Sequence, residues 1–313
     1  MKKITYVLML LFSSNTFSNQ FFEKFKADKI NDSVYVIHGP RELPSPSNHG
    51  FMNNPAFIIA DKSVIVVDPG VSQQTGEMVL SEIKKITDKP VSHIFNTHIH
   101  GDHWLGNEII KQRYPNVKII ADPRMIKKAK AGAAQSWIDT MLKMTEGATK
   151  GTKIAYPDTA VSDGEQLKIA GLTFNIHSVG LAHSDSDIMI EYVEGSTFFT
   201  GDNVGHLRIL RMSDGSFRDS IKALDKAISL NKKHYVPGHG PSGDVKLVKL
   251  QREYFNTLYT MVEKLYEEGL EDFEMKPKIE AALNKFKDWA GFKDELGKHI
   301  SLAKLEVEKA EFE

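Results

Sequence analysis

Within twelve residues, "NTHIHGDHWLGN" at 96–107, the chain places His98, His100, Asp102 and His103, directly after the apolar run "VSHIF". A strand predicted over 91–98 delivers His98 and His100 from one short loop, and Asp102 and His103 follow on the next turn. Gly101 and Gly106 let the backbone bend sharply beside them. Four such polar groups at a strand end cannot be hidden as core, since each unpaired one costs about 2–7 kcal/mol to bury. A bound cation removes that penalty. Neutral imidazoles and a carboxylate suit zinc, with iron or manganese as alternatives.

The surrounding pattern is mixed α/β. Short Val- and Ile-rich runs at 33–39, 56–61 and 63–70 predict strands, with a tight hairpin at Asp61-Lys62. Helical periodicity marks 75–88 and 105–115, and 117–122 returns to a strand. Residues 123–150 form a basic, Met-containing helical insert, expected as a wall or lid beside a pocket. Strands resume at 165–180, with a hairpin at Gly171, and at 187–202, turning at Glu194-Gly195. A helix at 217–230 and a strand and loop at 233–243 follow. Beyond Ser242 the texture changes. Leu247, Leu250, Tyr254, Leu258, Val262 and Leu265 mark one helical face, and further helices are expected at 275–286 and 294–311. The chain divides into a leader at 1–18, a core at 19–243 and a C-terminal helical extension at 244–313.

The leader has two lysines, an apolar run at 4–12 and then small polar residues, the layout of a secretory signal peptide. That run is far shorter than the roughly 20 residues of a membrane span. Export to the periplasm or medium is expected, without stable membrane insertion. Loss of 1–18 leaves 38 basic against 41 acidic side chains, a net charge of −3 that gives nucleic acid no purchase. A small-molecule substrate is the expected partner. With no cysteine among 313 residues, thiolate ligands, a cysteine nucleophile and disulfides are all excluded.

"THIHGDHWLGN" resembles the H-x-H-x-D-H signature of the metallo-β-lactamase superfamily. The resemblance extends nearly through Gly243, because "SVGLAHSDSD" offers His183, "FFTGDN" offers Asp202 and "VPGHGP" offers His239, in the family's order. It implies an αββα sandwich with metals in a cleft at the sheet edges. It further implies one metal on His98, His100 and His183, a second on Asp102, His103 and His239, and Asp202 bridging the two. Asp68 in "VVDPG" resembles the family's aspartate beneath the metal loop, which orients a ligand.

Seven nitrogen and oxygen ligands are too many for one closed ion and suit two zinc ions per chain with room for water. Metals about 3.5–4 Å apart bring the pKa of a bound water to about 7, so a metal-bound hydroxide is the expected nucleophile, with Asp102 as the catalytic group that orients it or takes its proton. The reading is an exported dinuclear zinc hydrolase acting on an ester, thioester, lactone or lactam. The missing cysteine and the presence of Asp202 look more like the glyoxalase II and lactonase branch than the cysteine-bearing β-lactamases, and His100 separates the chain from the diiron flavoproteins. A β-lactamase and a mononuclear iron dioxygenase of the persulfide type are the alternatives. His206 and His49 are candidates for the substrate rim. His38, His93, His177, His234 and His299 are read as structural.

Overall fold

The structure, a computed structural model, describes residues 21–311. The expected leader at 1–18 therefore lies outside the described residues. One sheet has seven strands in chain order: β1 (Ala27–Lys29), β2 (Val34–Ile37), β3 (Ala56–Ile59), β4 (Val64–Val67), β5 (Val91–Phe95), β6 (Lys118–Ala121) and β7 (Thr159–Ala160). It is antiparallel from β1 to β4 and parallel from β4 onward. The second sheet contains β8 (Gln166–Ile169), β9 (Leu172–His177), β10 (Met189–Tyr192), β11 (Thr197–Gly205) and β12 (His234–His239), in the order β12-β11-β10-β9-β8. Only β11 and β12 run parallel in it.

The helices are α1 (Gln73–Ile86), α2 (Gly101–Trp104), α3 (Asn107–Arg113), α4 (Pro123–Lys128), α5 (Ala134–Met144), α6 (Phe217–Ser229), α7 (Val245–Glu267), α8 (Asp272–Ala282) and α9 (Phe292–Ala310). Strand β4, "VIVV", is buried along its whole length. Ile65 and Val67 pack with Phe95, Phe174, Ile190 and Phe199 between the sheets. Val64 and Val66 face outward onto Met78, Val79 and Ile83 of α1. A strand covered on both faces reads as a continuous apolar run, as this one does. On the other side, Phe198 and Tyr235 pack against Leu224 of α6 and Val248 and Phe255 of α7. The result is an αββα sandwich, with α7–α9 as a helical extension over the second sheet.

Several local expectations correspond to observed elements. Ala60 and Ser63 close the turn at Asp61-Lys62, with Ile59 opposite Val64. Ala170 and Gly171 link Ile169 to Leu172, both with positive φ (51° and 85°). That is the mirror-image turn that the strands' twist favours. The insert differs from a single long helix. It breaks at Gly132 (φ 118°) within a π-type turn at Ala129–Ala133, where no neighbouring atom lies near a would-be side chain. The break lets α5 turn back across the loop that follows β5, where Trp137 packs on Gly101.

Candidate metal centre

The strands that bear functional residues all end at one edge, where parallel neighbours leave loops at their carboxyl ends. His98, His100, Asp102 and His103 follow β5, Asp68 follows β4, His183 sits between β9 and β10, Asp202 lies in β11 and His239 ends β12. Strand β11 slips register with β12 on both sides of Gly201. Such irregularities re-aim side chains, and this one sends Asp202 into the cleft. Gly238 on β12 makes room for it, since a Cβ there would fall 1.9 Å from Asp202 Oδ1.

The seven side chains converge. Three overlapping groups have ligand atoms within 4.8 Å of one another: His98, His100 and His183; His98, His103 and Asp202; and Asp102, His103 and His239. His183 Nε2 lies 3.0 Å from His100 Nδ1. His239 Nε2 lies 3.2 Å from both Asp102 Oδ2 and Asp202 Oδ2, and His103 Nε2 lies 3.1 Å from Asp202 Oδ1. Asp202 Oδ2 is also 3.6 Å from His183 Nε2, so this carboxylate stands between the two outer groups.

The hydrogen bonds behind these atoms fix which nitrogen faces inward. Asp68 Oδ2 accepts from His103 Nδ1 at 2.8 Å and from Thr97 Oγ1 at 2.6 Å. Thr97 has then spent its only proton, so its contact with His98 Nδ1 at 3.0 Å makes that nitrogen the donor. His239 Nδ1 donates to the Met52 carbonyl at 2.8 Å, and His100 Nε2 donates to Asp214 Oδ2 at 3.0 Å. These four imidazoles are held in the tautomer that turns a lone pair to the centre. Asp68 thus orients two histidines, one directly and one through Thr97. It does so from a left-handed backbone (φ 50°), a strained conformation typical of functional turns.

These residues fit a bound cation. His98 Nε2, His103 Nε2, Asp102 Oδ2 and Asp202 Oδ1 are buried with no hydrogen-bond partner, which protein interiors rarely tolerate. Ligands 2.0–2.1 Å from a tetrahedral ion sit roughly 3.3 Å apart, and the separations above bracket that value. The electrostatics agree. Burial alone would raise the Asp102 carboxyl, but the adjacent His103 and His239 hold it well below its usual range. Asp202 is likewise held low, against burial, by His239 and His103. Burial pushes His183 down to about 3, leaving a neutral ligand.

The chain matches the metallo-beta-lactamase superfamily over residues 49–239. It belongs to that superfamily. A hydroxyacylglutathione hydrolase of Prochlorococcus marinus is 28% identical over 174 residues, covering 55% of this chain and 58% of that protein. A probable metallo-hydrolase of Methanocaldococcus jannaschii is 28% identical over 204 residues, covering 63% and 92%. Among solved structures, a metallo-beta-lactamase from Pontibacter korlensis superposes with a TM-score of 0.58 at 19% identity, over 74% of this chain and 99% of that one. At that identity the likeness concerns the superfamily's fold.

The two histidines expected at the rim lie elsewhere. His206 and His49 are not among the residues lining the cleft. His206 Nδ1 donates to the Pro241 carbonyl at 2.8 Å, and the His49 ring packs on Phe21 and Phe22. Other groups take the rim instead. Trp137 stands beside His100, ring centroids 5.2 Å apart, and Asp214 grips His100 from across the cleft. Arg208 is buried next to His239 and donates to the Glu42 carbonyl at 3.1 Å. Asp187 accepts from the amides of His183 (2.7 Å) and Ser184 (2.8 Å) and shapes the His183 loop. Burial raises its carboxyl to about 6, against those hydrogen bonds. Asp187, four residues past His183 in "HSDSD", had a local signal; Asp214, 114 residues from His100, had none.

Proposed function

We propose that this protein is an exported, dinuclear metal-dependent hydrolase that cleaves an ester, thioester, lactone or lactam. The observation that carries the reading is the convergence of His98, His100, Asp102, His103, His183, Asp202 and His239 into three overlapping ligand groups, with inward atoms otherwise unsatisfied. Two zinc ions held there would polarise a carbonyl and acidify water. His98, His100 and His183 would hold one, Asp102, His103 and His239 the other, with Asp202 between them.

The chain's own residues supply the rest. Asp102, kept ionised, is an acceptor that orients the attacking water and takes its proton. Water oxygen adds to the acyl carbon, the bond to the leaving atom breaks, and that atom departs with a proton. Asp214 and Asp68 keep the histidines from turning as charge moves. Arg208 adds a fixed positive charge beside His239. The glyoxalase II-like branch is favoured by the hydroxyacylglutathione hydrolase relative and by the absence of cysteine. Export rests on the basic and apolar start of the chain.

The test is turnover of the zinc-loaded protein on a thioester, a lactone and a chromogenic cephalosporin. Turnover of thioester or lactone with little on the cephalosporin supports the reading. Rapid cephalosporin cleavage makes it a β-lactamase, and oxygen consumption with one iron per chain overturns hydrolysis altogether.

A further inference from the structure

The two sides of the cleft differ in chemistry. On one side, Trp137, Met141 and Met144 of α5 line it at i, i+4 and i+7, one helical face beside His100. On the other side stand Arg208, Arg211, Ser213 and Asp214. The first face is apolar and runs from buried Met141 to exposed Met144, at a mouth that leads to buried polar atoms. Met144 is 38% exposed, although most large apolar side chains among the described residues are buried. Trp137 is half-buried, with its ring against His100. Beyond Arg208 and Arg211 the cleft adjoins a second, larger chamber of about 770 Å³, whose lining includes Arg41, Glu42, Asp288 and Asp294.

We propose that the α5 face is an acyl-chain subsite, so that the substrate is an amphipathic thioester or ester with a hydrocarbon acyl group and a polar leaving group. This rests on the hydrolase reading above. The direction follows from charge. Negative charge develops on the leaving atom as its bond to the acyl carbon breaks, and it is stabilised best beside the guanidinium of Arg208. The leaving group therefore lies on the Arg208 side and extends into the larger chamber, towards its charged residues Arg41, Asp288 and Asp294. The acyl chain lies the other way, over Trp137, Met141 and Met144, where thioether side chains adapt to hydrocarbon of varied shape. Water contributes its oxygen to the acyl carbon, giving the carboxylate and the free thiol or alcohol.

The experiment is kcat/KM for thioesters of 3-mercaptopropionate with acetyl, butyryl, hexanoyl and octanoyl chains. Burial of each methylene raises kcat/KM by up to about fourfold, and the subsite predicts a steady rise over the shorter chains, carried mainly by KM. Met144→Ala, at a partly exposed position, should flatten the rise, as should Trp137→Phe. Leu142→Ala on the same helix but outside the cleft lining should leave it unchanged. A second readout is Trp fluorescence during titration with octanoate against acetate, with the octanoate response lost in Trp137→Phe. Turnover without chain-length dependence overturns the subsite and leaves the hydrolase intact. Absence of turnover on every ester, thioester, lactone and lactam sinks the hydrolase reading instead, and absence of an octanoate response then sinks the subsite as well.

Discussion

The floor of the cleft and its far wall are positioned by different parts of the molecule. The candidate ligands on the floor come from the loops after β5 and between β9 and β10 and from strands β11 and β12 themselves, and are braced from within the sandwich. Asp68, Thr97, Asp187 and the Met52 carbonyl do this through bonds of 2.6–3.0 Å. The far wall, 207–214, is braced from outside, by the helical extension. Ile209 N donates to Ala290 O (2.8 Å), Ala290 N donates to Leu207 O (3.1 Å), and His299 of α9 donates from Nε2 to Leu210 O (2.9 Å). The carbonyl can only accept, so His299 Nδ1 takes the hydroxyl proton of Tyr254 on α7 at 3.0 Å. The sandwich sets what can bind at the floor, and the extension sets the shape of the wall that a substrate meets. Asp214 joins the two, because it ends that wall and grips His100.

The sharpest way to break this division is at the floor. Asp202→Ala removes the carboxylate shared by His103, His183 and His239. Turnover on any hydrolysed probe should fall by about 10²–10³-fold, the scale of losing one preorganised electrostatic group. Steady-state assays that showed less than a tenfold loss would count against a shared bridge. Next comes the bracing beneath. Asp68→Ala frees both His103 and His98, and zinc affinity measured by competition with a chelator should drop about 10–100-fold.

The wall predicts the converse pattern, with stability affected and metal retained. His299→Phe strands the Leu210 carbonyl and Tyr254 hydroxyl, costing about 1–3 kcal/mol in urea unfolding, while zinc content holds. Its pH signature has a definite sign. Burial drives His299 down to about 4 in the folded chain, against roughly 6.5 when unfolded. Between those values the unfolded state binds the extra proton, so stability is present above pH ~6.5 and declines as pH falls towards ~4, by up to roughly 3 kcal/mol. Comparing the native chain with His299→Gln over that window isolates this contribution, since the amide can serve both partners without titrating. Equal slopes would remove His299 as the brace. Smallest of all, His206→Ala and His49→Ala should change turnover by less than about twofold, within the usual small effect of substitutions away from a site.

The same division explains what could be read before the structure. The candidate ligands sit in short motifs in or beside strands, and the structure brings those seven side chains into overlapping groups. Hairpins at Asp61-Lys62 and Gly171 were local too, fixed by turn chemistry. The wall was not readable, because Asp214 reaches His100 and His299 reaches Leu210 across 114 and 89 residues. Proximity in the chain suggested His206, four residues past Asp202, for the rim. The Pro241 carbonyl captures its ring instead. The apolar face of α5 was visible as periodicity within an expected wall, but its bend at Gly132 was not.

Equilibrium dialysis of the purified protein against zinc, with metal counted per chain, decides whether the centre is paired. The native chain should bind two ions, and His239→Ala, which depletes only the group containing Asp102 and His103, should retain one. A native chain that binds a single ion, or a His239→Ala variant that still binds two, would contradict the paired centre on which the account stands.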